Sequence, residues 1–223
     1  MKLLIVVDCQ NDFITGALGS KEASKILPTI QHKIDSLETN DMLVFTEDEH
    51  IFSIDDKTIE GLRLPHHCEM NSYGARITDE LILDNCKCGY NIVRKSTFIY
   101  NAWEYYLYDF MDDIDEIEIC GLCTDICVIS NALVFRSLFP CIPIIVDARA
   151  CAGSTPHMHE IALQVMQANL IDVSNMPECK IVNPFRLTAD ELWEKAGTDE
   201  PITRLDLGLS DSNGTGLQQY NSR

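Results

Sequence analysis

Five consecutive apolar residues, Leu3 to Val7, stop at Asp8, and this short run constrains the fold more than any other feature of the chain. A strand with one face in water alternates apolar and polar residues, whereas a strand covered on both faces reads as an unbroken apolar run. Met42 to Phe45, Asn91 to Val93, Ile117 to Ile119 and Ile142 to Val146 repeat the texture, and Ile171 to Val173 is a weaker sixth case. Helical stretches separate them, at roughly Ala23 to Leu37, Ala102 to Phe110, Asp125 to Leu138 and Thr155 to Ala168. Strands and helices in alternation predict an α/β fold of three layers, with a mostly parallel sheet of about six strands between helices. The domain is expected to span residues 1 to 198. Residues 199 to 223 are polar, rich in Gly, Ser, Asp and Asn, and read as a tail or arm.

Charge removes whole classes of function. Thirty-five acidic side chains against 17 basic ones leave a formal net charge of −18, a surface that repels nucleic acid and anionic membranes. No stretch approaches the roughly 18 apolar residues that a membrane helix requires. Nothing at the start resembles a signal peptide, so the expected location is cytoplasmic. Ten cysteines raise the question of disulfides or zinc knuckles. Cys86 and Cys88 have one residue between them and Cys123 and Cys127 have three, so no pair of zinc-knuckle motifs can be built. Most read as buried thiols.

In doubly wound sheets, ligands gather beyond the carboxyl ends of the strands. Asp8 ends the first strand, Asp48 follows the second, Lys95 follows the third, and Cys127 lies in the turn and helix start after the fourth. A cysteine in the first turn of a helix meets unpaired amides and the positive end of the helix dipole, both of which favour a thiolate. A carboxylate, a cation and a thiol at neighbouring strand ends form an activated-nucleophile arrangement. Each residue alone has a plainer reading, as a turn cap, a surface charge and a core thiol. The long segment from Glu49 to Ala75 exceeds an ordinary connection. Asp48 and His50 share one face of an extended chain there, and Glu60, His66 and His67 follow. These are ligands suited to zinc, manganese or iron. The pair His157 and His159, at a helix start, reads as surface.

Taken together, these motifs resemble the isochorismatase-like cysteine hydrolases, and within them the nicotinamidases, over roughly residues 2 to 185. Asp8-Cys9-Gln10-Asn11-Asp12-Phe13 is similar to the family's opening D-x-Q-x-D-F motif, Arg94-Lys95-Ser96 to its lysine segment, and Gly121 to Val128 to G-x-x-T-D-x-C-V. The resemblance implies a catalytic set of Asp8, Lys95 and Cys127. It also implies a non-proline cis peptide between Leu122 and Cys123 that aims the amides of Cys123 and Cys127 at an oxyanion. Thr46 to His50 resembles the nicotinamidase T-x-D-W-H segment, and Leu64 to Cys68 the W-P-x-H-C segment. Asp48, His50 and His67 thereby fall on a site for one divalent metal ion, zinc first and manganese or iron next, with Glu60 as a further ligand. Phe13, Leu64 and Cys123 fall on the substrate pocket. Glu49, Ile51 and Leu64 stand where the subgroup has Trp, Pro and Trp, which makes the pocket less aromatic.

The implied activity is hydrolysis of nicotinamide to nicotinate and ammonia through a cysteine thioester. A related cysteine amidase acting on another small amide or carbamoyl compound is the second reading. A non-catalytic binding subunit with the same fold would lack a member of the catalytic set, and an isochorismatase would not need Cys127. By analogy with the family, the small-molecule amide would be the partner of a homo-oligomer.

Overall fold

The computed structural model describes residues 1–84 and 86–176. The expected tail at 199–223, and the boundary at residue 198, lie outside the described residues. Six strands form one sheet, β1 (Lys2–Val7), β2 (Met42–Asp48), β3 (Asn91–Lys95), β4 (Glu116–Leu122), β5 (Ile144–Ala152) and β6 (Asp172–Ser174). They lie in the order β3-β2-β1-β4-β5-β6, every neighbouring pair parallel. Leu3 to Val7 are wholly buried, as a strand at the centre of a sheet covered on both faces requires.

The helices are α1 (Asn11–Ile14), α2 (Lys21–Asp35), α3 (Phe52–Asp55), α4 (Trp103–Leu107), α5 (Ile129–Leu138) and α6 (Pro156–Ala168). Right-handed crossovers place α2 on one face of the sheet and α4, α5 and α6 on the other. Ser20 caps α2 by accepting from Ala23 N, and Thr155 caps α6 by accepting from Met158 N, with Pro156 as the first helical residue. Trp103 of α4 packs on Phe135 of α5 with ring centroids 4.9 Å apart. No helix among the described residues is long and apolar enough to cross a membrane.

Several boundaries differ from the sequence expectation, each for a physical reason. β5 starts at Ile144 rather than Ile142, because Pro143 has no N–H for the ladder; its carbonyl instead accepts from Ile117 N. The strand then continues past Val146 through Asp147, whose buried carboxylate is paired with Lys33 of α2 at 2.8 Å. β2 continues through Thr46, Glu47 and Asp48, all buried and all partnered. The helix expected from Asp125 opens as a wide π turn, Thr124–Val128, before α5, and the one expected over Ala102 to Phe110 tightens into a 3₁₀ turn after Leu107. Asp48 is therefore the last residue of β2 and Lys95 the last of β3. The two are register partners, side by side at the same level of the sheet.

Strand order reverses between β1 and β4, and this switch point opens a crevice beyond their carboxyl ends. Gly121, near the end of β4, has φ +115, and a Cβ there would stand 2.1 Å from the carbonyl oxygen of Val7. Only glycine allows the two central strands to approach this closely. Gly121→Ala is expected to destabilise the fold by about 3 kcal/mol or more, read as a lowered urea midpoint; an unchanged midpoint would mean that the close contact at the crevice is not needed.

Candidate active site

Asp8 sits at φ +49 immediately beyond β1, a turn conformation that aspartate tolerates better than most residues. Its amide donates to the carbonyl and hydroxyl oxygens of Thr46, and the Thr46 hydroxyl donates to Oδ1. Oδ2 lies 2.8 Å from Lys95 Nζ. Lys95 Nζ also lies 3.7 Å from Cys127 Sγ and 3.4 Å from Asp48 Oδ1. Asp8, Lys95 and Cys127, named from three separate strand ends, thus form one buried group.

The electrostatics of this group correct one expectation. Burial pushes the Asp8 carboxyl above the usual carboxylate range, with Lys95 opposing the rise and Asp48 adding to it. Burial, which disfavours the ammonium, is overcome at Lys95 by Asp8, Cys127 and Asp48, so the cation holds its proton more firmly than a free lysine. Burial likewise pushes the Cys127 thiol well above its ordinary value, Lys95 opposing and Asp8 and Asp48 adding to the rise. The helix start does not by itself produce a resting thiolate, because loss of water outweighs it. The direction of these shifts favours a resting thiol at Cys127 beside a carboxylate of raised basicity.

Cys127 sits in the π turn that follows β4. The peptide between Leu122 and Cys123 is cis, and the turn is closed by Val128 N donating to Cys123 O. Wide turns of this kind recur at functional sites. Two contacts hold the turn from α6 and the loop before it. Thr124 Oγ1 is 2.7 Å from His159 Nδ1, and both carboxylate oxygens of Asp125 accept from Ser154, one from its amide and one from its hydroxyl. His159, read from sequence as surface, is half-buried against the nucleophile turn, while His157 is exposed.

A second group lies on the β2 side. Single ligand atoms of Asp48, His50, Glu60 and His67 all fall within 4.8 Å of one another. Asp48 Oδ2 is 3.2 Å from His50 Nε2 and 3.4 Å from His67 Nε2, and Glu60 Oε1 is 3.9 Å from His67 Nε2. His67 Nδ1 donates to the carbonyl of Pro65 at 2.8 Å, which turns Nε2 toward the carboxylates of Asp48 and Glu60. Both ring nitrogens of buried His50 and Oδ1 of Asp48 lack a well-directed hydrogen bond. Buried polar atoms rarely stay unpaired, and a divalent cation would take one ring nitrogen of His50 together with one atom each of Asp48, Glu60 and His67: two imidazoles and two carboxylates are a suitable donor set. His66 points away, stacked on Phe52 and paired with Asp56.

The loop carrying these residues is pinned by Gln10 and Asp12 of the Asp8–Phe13 segment. Gln10, wholly buried, donates from Nε2 to the carbonyls of Asp48 and Ala75, both at 2.7 Å, and accepts from Asp48 N at Oε1. Asp12 accepts from Cys68 N at 2.7 Å, next to His67. Between the catalytic group and the cation group lies a cavity of about 160 Å³, lined by Phe13, Leu64, Cys123 and Cys127, as expected, and also by Leu18, Phe98, Ile126 and Ser154. Phe98 supplies an aromatic wall that the motifs did not signal. It lies three residues beyond Lys95, outside any spacing rule.

A buried cysteine paired with a carboxylate and a lysine at the switch point of a parallel sheet defines a class, the α/β cysteine hydrolases. The isochorismatase domain model matches residues 2–178, so the chain belongs to the isochorismatase family. The nicotinamidase of Saccharomyces cerevisiae is 25% identical over 214 residues, which cover 78% of this chain and 99% of that protein. Among solved structures, the nicotinamidase of Bacillus subtilis is 27% identical with a TM-score of 0.68, covering 78% of this chain and 99% of that one. The pyrazinamidase of Pyrococcus horikoshii, solved in complex with zinc, is also 27% identical, with a TM-score of 0.66 and coverage of 77% and 97%. The chain is thus a nicotinamidase-like hydrolase of amide carbon–nitrogen bonds.

The thiol chemistry can be tested without a substrate. Asp8→Asn is expected to slow iodoacetamide alkylation of Cys127 at least about tenfold, because an amide cannot accept the thiol proton, while exposed Cys141 reacts as before. Equal slowing at both sites, or none at Cys127, would show that Asp8 does not govern that thiol.

Proposed function

We propose that the protein hydrolyses nicotinamide to nicotinate and ammonia through a thioester on Cys127. The observation that carries this reading is one cavity whose lining includes Cys127, backed by buried Asp8 and Lys95, and Asp48, Glu60 and His67 of the four-residue cation site. Asp8 accepts the proton of Cys127 as the sulfur attacks the amide carbon, and the backbone N–H groups of Cys123 and Cys127 take the developing oxyanion. One such donor contributes about 3 to 4 kcal/mol in comparable acyl transfers. Asp8 then protonates the departing ammonia. The same carboxylate next activates a water molecule that hydrolyses the thioester and releases the acid. Lys95 keeps its proton throughout and balances the negative charge that passes between Asp8 and Cys127.

Asp48, His50, Glu60 and His67 are the residues that would hold a divalent metal ion, zinc first. The ion, when bound, supplies a Lewis-acidic position for a ring nitrogen of the substrate. Phe13, Phe98 and Leu64 pack against the ring and exclude water. Leu64, where an aromatic wall would otherwise stand, favours a second reading in which another small amide or carbamoyl compound is the substrate. Assembly as a homo-oligomer belongs to the same proposal, by analogy with the family.

Three outcomes follow from these roles. Ammonia release from nicotinamide is expected to fall below about a hundredth of the wild-type rate in Asp8→Asn, since general-base catalysis supplies about that factor or more. Lys95→Ala should show the same loss with a stability cost of about 3 to 5 kcal/mol, because two buried carboxylates lose their cation; residual turnover above a few per cent, at unchanged stability, would remove Lys95 from the set. Elemental analysis should find close to one divalent ion per chain, and His67→Ala should lower that occupancy and raise KM for nicotinamide more than it slows alkylation of Cys127. Less than about a tenth of an ion per chain, with hydrolysis unaffected by His67→Ala, would replace the nicotinamide reading with the second one.

A further inference from the structure

Away from the cavity, the loop that enters β3 carries two thiols in contact. Cys86 Sγ and Cys88 Sγ are 3.5 Å apart, and each lies 3.3 Å from the same acceptor, the carbonyl oxygen of Gly89. The backbone holds them there. Cys86 N donates to Leu83 O, and Gly89 N donates back to Cys86 O at 3.2 Å, which closes a tight turn with Lys87 and Cys88 at its centre. Gly89 leaves the turn at φ +69, a region where a side chain is disfavoured. Lys87, between the two cysteines, points away from them and pairs with Glu38 at 2.9 Å, which ties the turn to the body of the domain.

Their surroundings separate this pair from the other cysteines. Cys9, Cys68, Cys120, Cys127 and Cys151 are buried, and Cys123, partly exposed, lines the cavity without a thiol partner among the described residues. Cys141 is exposed but has no thiol partner in the described residues. Cys86 and Cys88 are partly exposed, so a small reagent can reach them, and each already has the other within van der Waals distance.

We propose that Cys86 and Cys88 form a reversible dithiol–disulfide site that is oxidised by exchange with a low-molecular-weight disulfide. The thiolate of one cysteine attacks a sulfur of the small disulfide; a protein–small-molecule disulfide forms, and one small thiolate leaves with the first electron pair. The second cysteine then attacks the protein-bound sulfur. The Cys86–Cys88 bond forms, the second small thiolate leaves, and both thiolates take up the two protons that the cysteines lost. The net change is oxidation of two protein thiols and reduction of one small disulfide to two thiols.

Either thiol can make the first attack, since both are partly exposed and both lie against the same carbonyl oxygen. The second step is fast because the attacking sulfur is already in place. A disulfide across so short a loop is strained and therefore easily reduced again, which distinguishes it from a structural cross-link. Neither cysteine touches the catalytic group, so Cys86→Ser and Cys88→Ser should leave basal hydrolysis unchanged.

The test uses the full-length protein, reduced, freed of reductant and incubated with oxidised glutathione. Acid quenching, alkylation and peptide mass spectrometry then read each cysteine. The peptide carrying Cys86 and Cys88 should lose two hydrogens, carry no glutathione, and return to the dithiol with dithiothreitol. Cys141 should carry glutathione only. In Cys88→Ser the first intermediate should be trapped, with glutathione on Cys86, and in Cys86→Ser it should be trapped with glutathione on Cys88. Glutathione stably retained on either cysteine of the wild-type protein would overturn the proposal. So would two thiols that stay free while Cys141 reacts.

Discussion

One buried ammonium group organises the site. Lys95 Nζ lies within 4 Å of two carboxylates, Asp8 and Asp48, and of the Cys127 sulfur, all removed from water. Two carboxylates buried this close would repel each other strongly without it, and one would stay protonated. The cation lets Asp48 remain ionised: its carboxyl is held far below the usual range because His50, His67 and Lys95 together outweigh burial. It also leaves Asp8, deeper and with fewer donors, on the raised side. Two carboxylates of the same type thus acquire opposite character, Asp8 the more basic and Asp48 ionised beside His50 and His67. The side-by-side register of Asp48 and Lys95 across β2 and β3 is the structural origin of that division.

A division of this kind requires that neither group shift. On the β1 side, Gln10 spends its amide on the backbone of Asp48 and Ala75, and Asp12 grips the amide beside His67. These bonds tie the cation ligands to the residues that follow Asp8, so one short segment fixes both groups. On the β4 side, the contacts of Thr124 with His159 and of Asp125 with Ser154 hold the turn that presents Cys127. Polar groups positioned in advance are usually the largest contribution to catalysis; here the bonds on the β1 side are backbone-to-side-chain pairs, those of Gln10 buried, and those on the β4 side lie nearer the surface.

Much of this was legible in the sequence. Unbroken apolar runs with polar residues at their ends announced a sheet buried on both faces, and the family's motifs marked the residues that meet at its carboxyl edge. Strand ends were less legible where charged residues continue a strand, as Asp147 does in β5, because a hydropathy pattern does not register that Lys33 lies across from it. His159 was missed for a related reason: its partner Thr124 is 35 residues away in sequence. Phe98 and Ser154 reach the cavity from loops whose paths no periodicity describes. The state of Cys127 was misjudged because the helix-start argument counts dipoles and not lost water.

The central claim is that bond-breaking passes through a thioester on Cys127. The most direct measurement is intact-mass analysis of the enzyme, quenched in acid during turnover of nicotinamide, followed by peptide mapping of the adduct. The account predicts a nicotinoyl group on Cys127 alone, absent from Cys127→Ser, which should also release no ammonia. Ammonia released at the wild-type rate by Cys127→Ser, or an acyl group found on another residue, would contradict it.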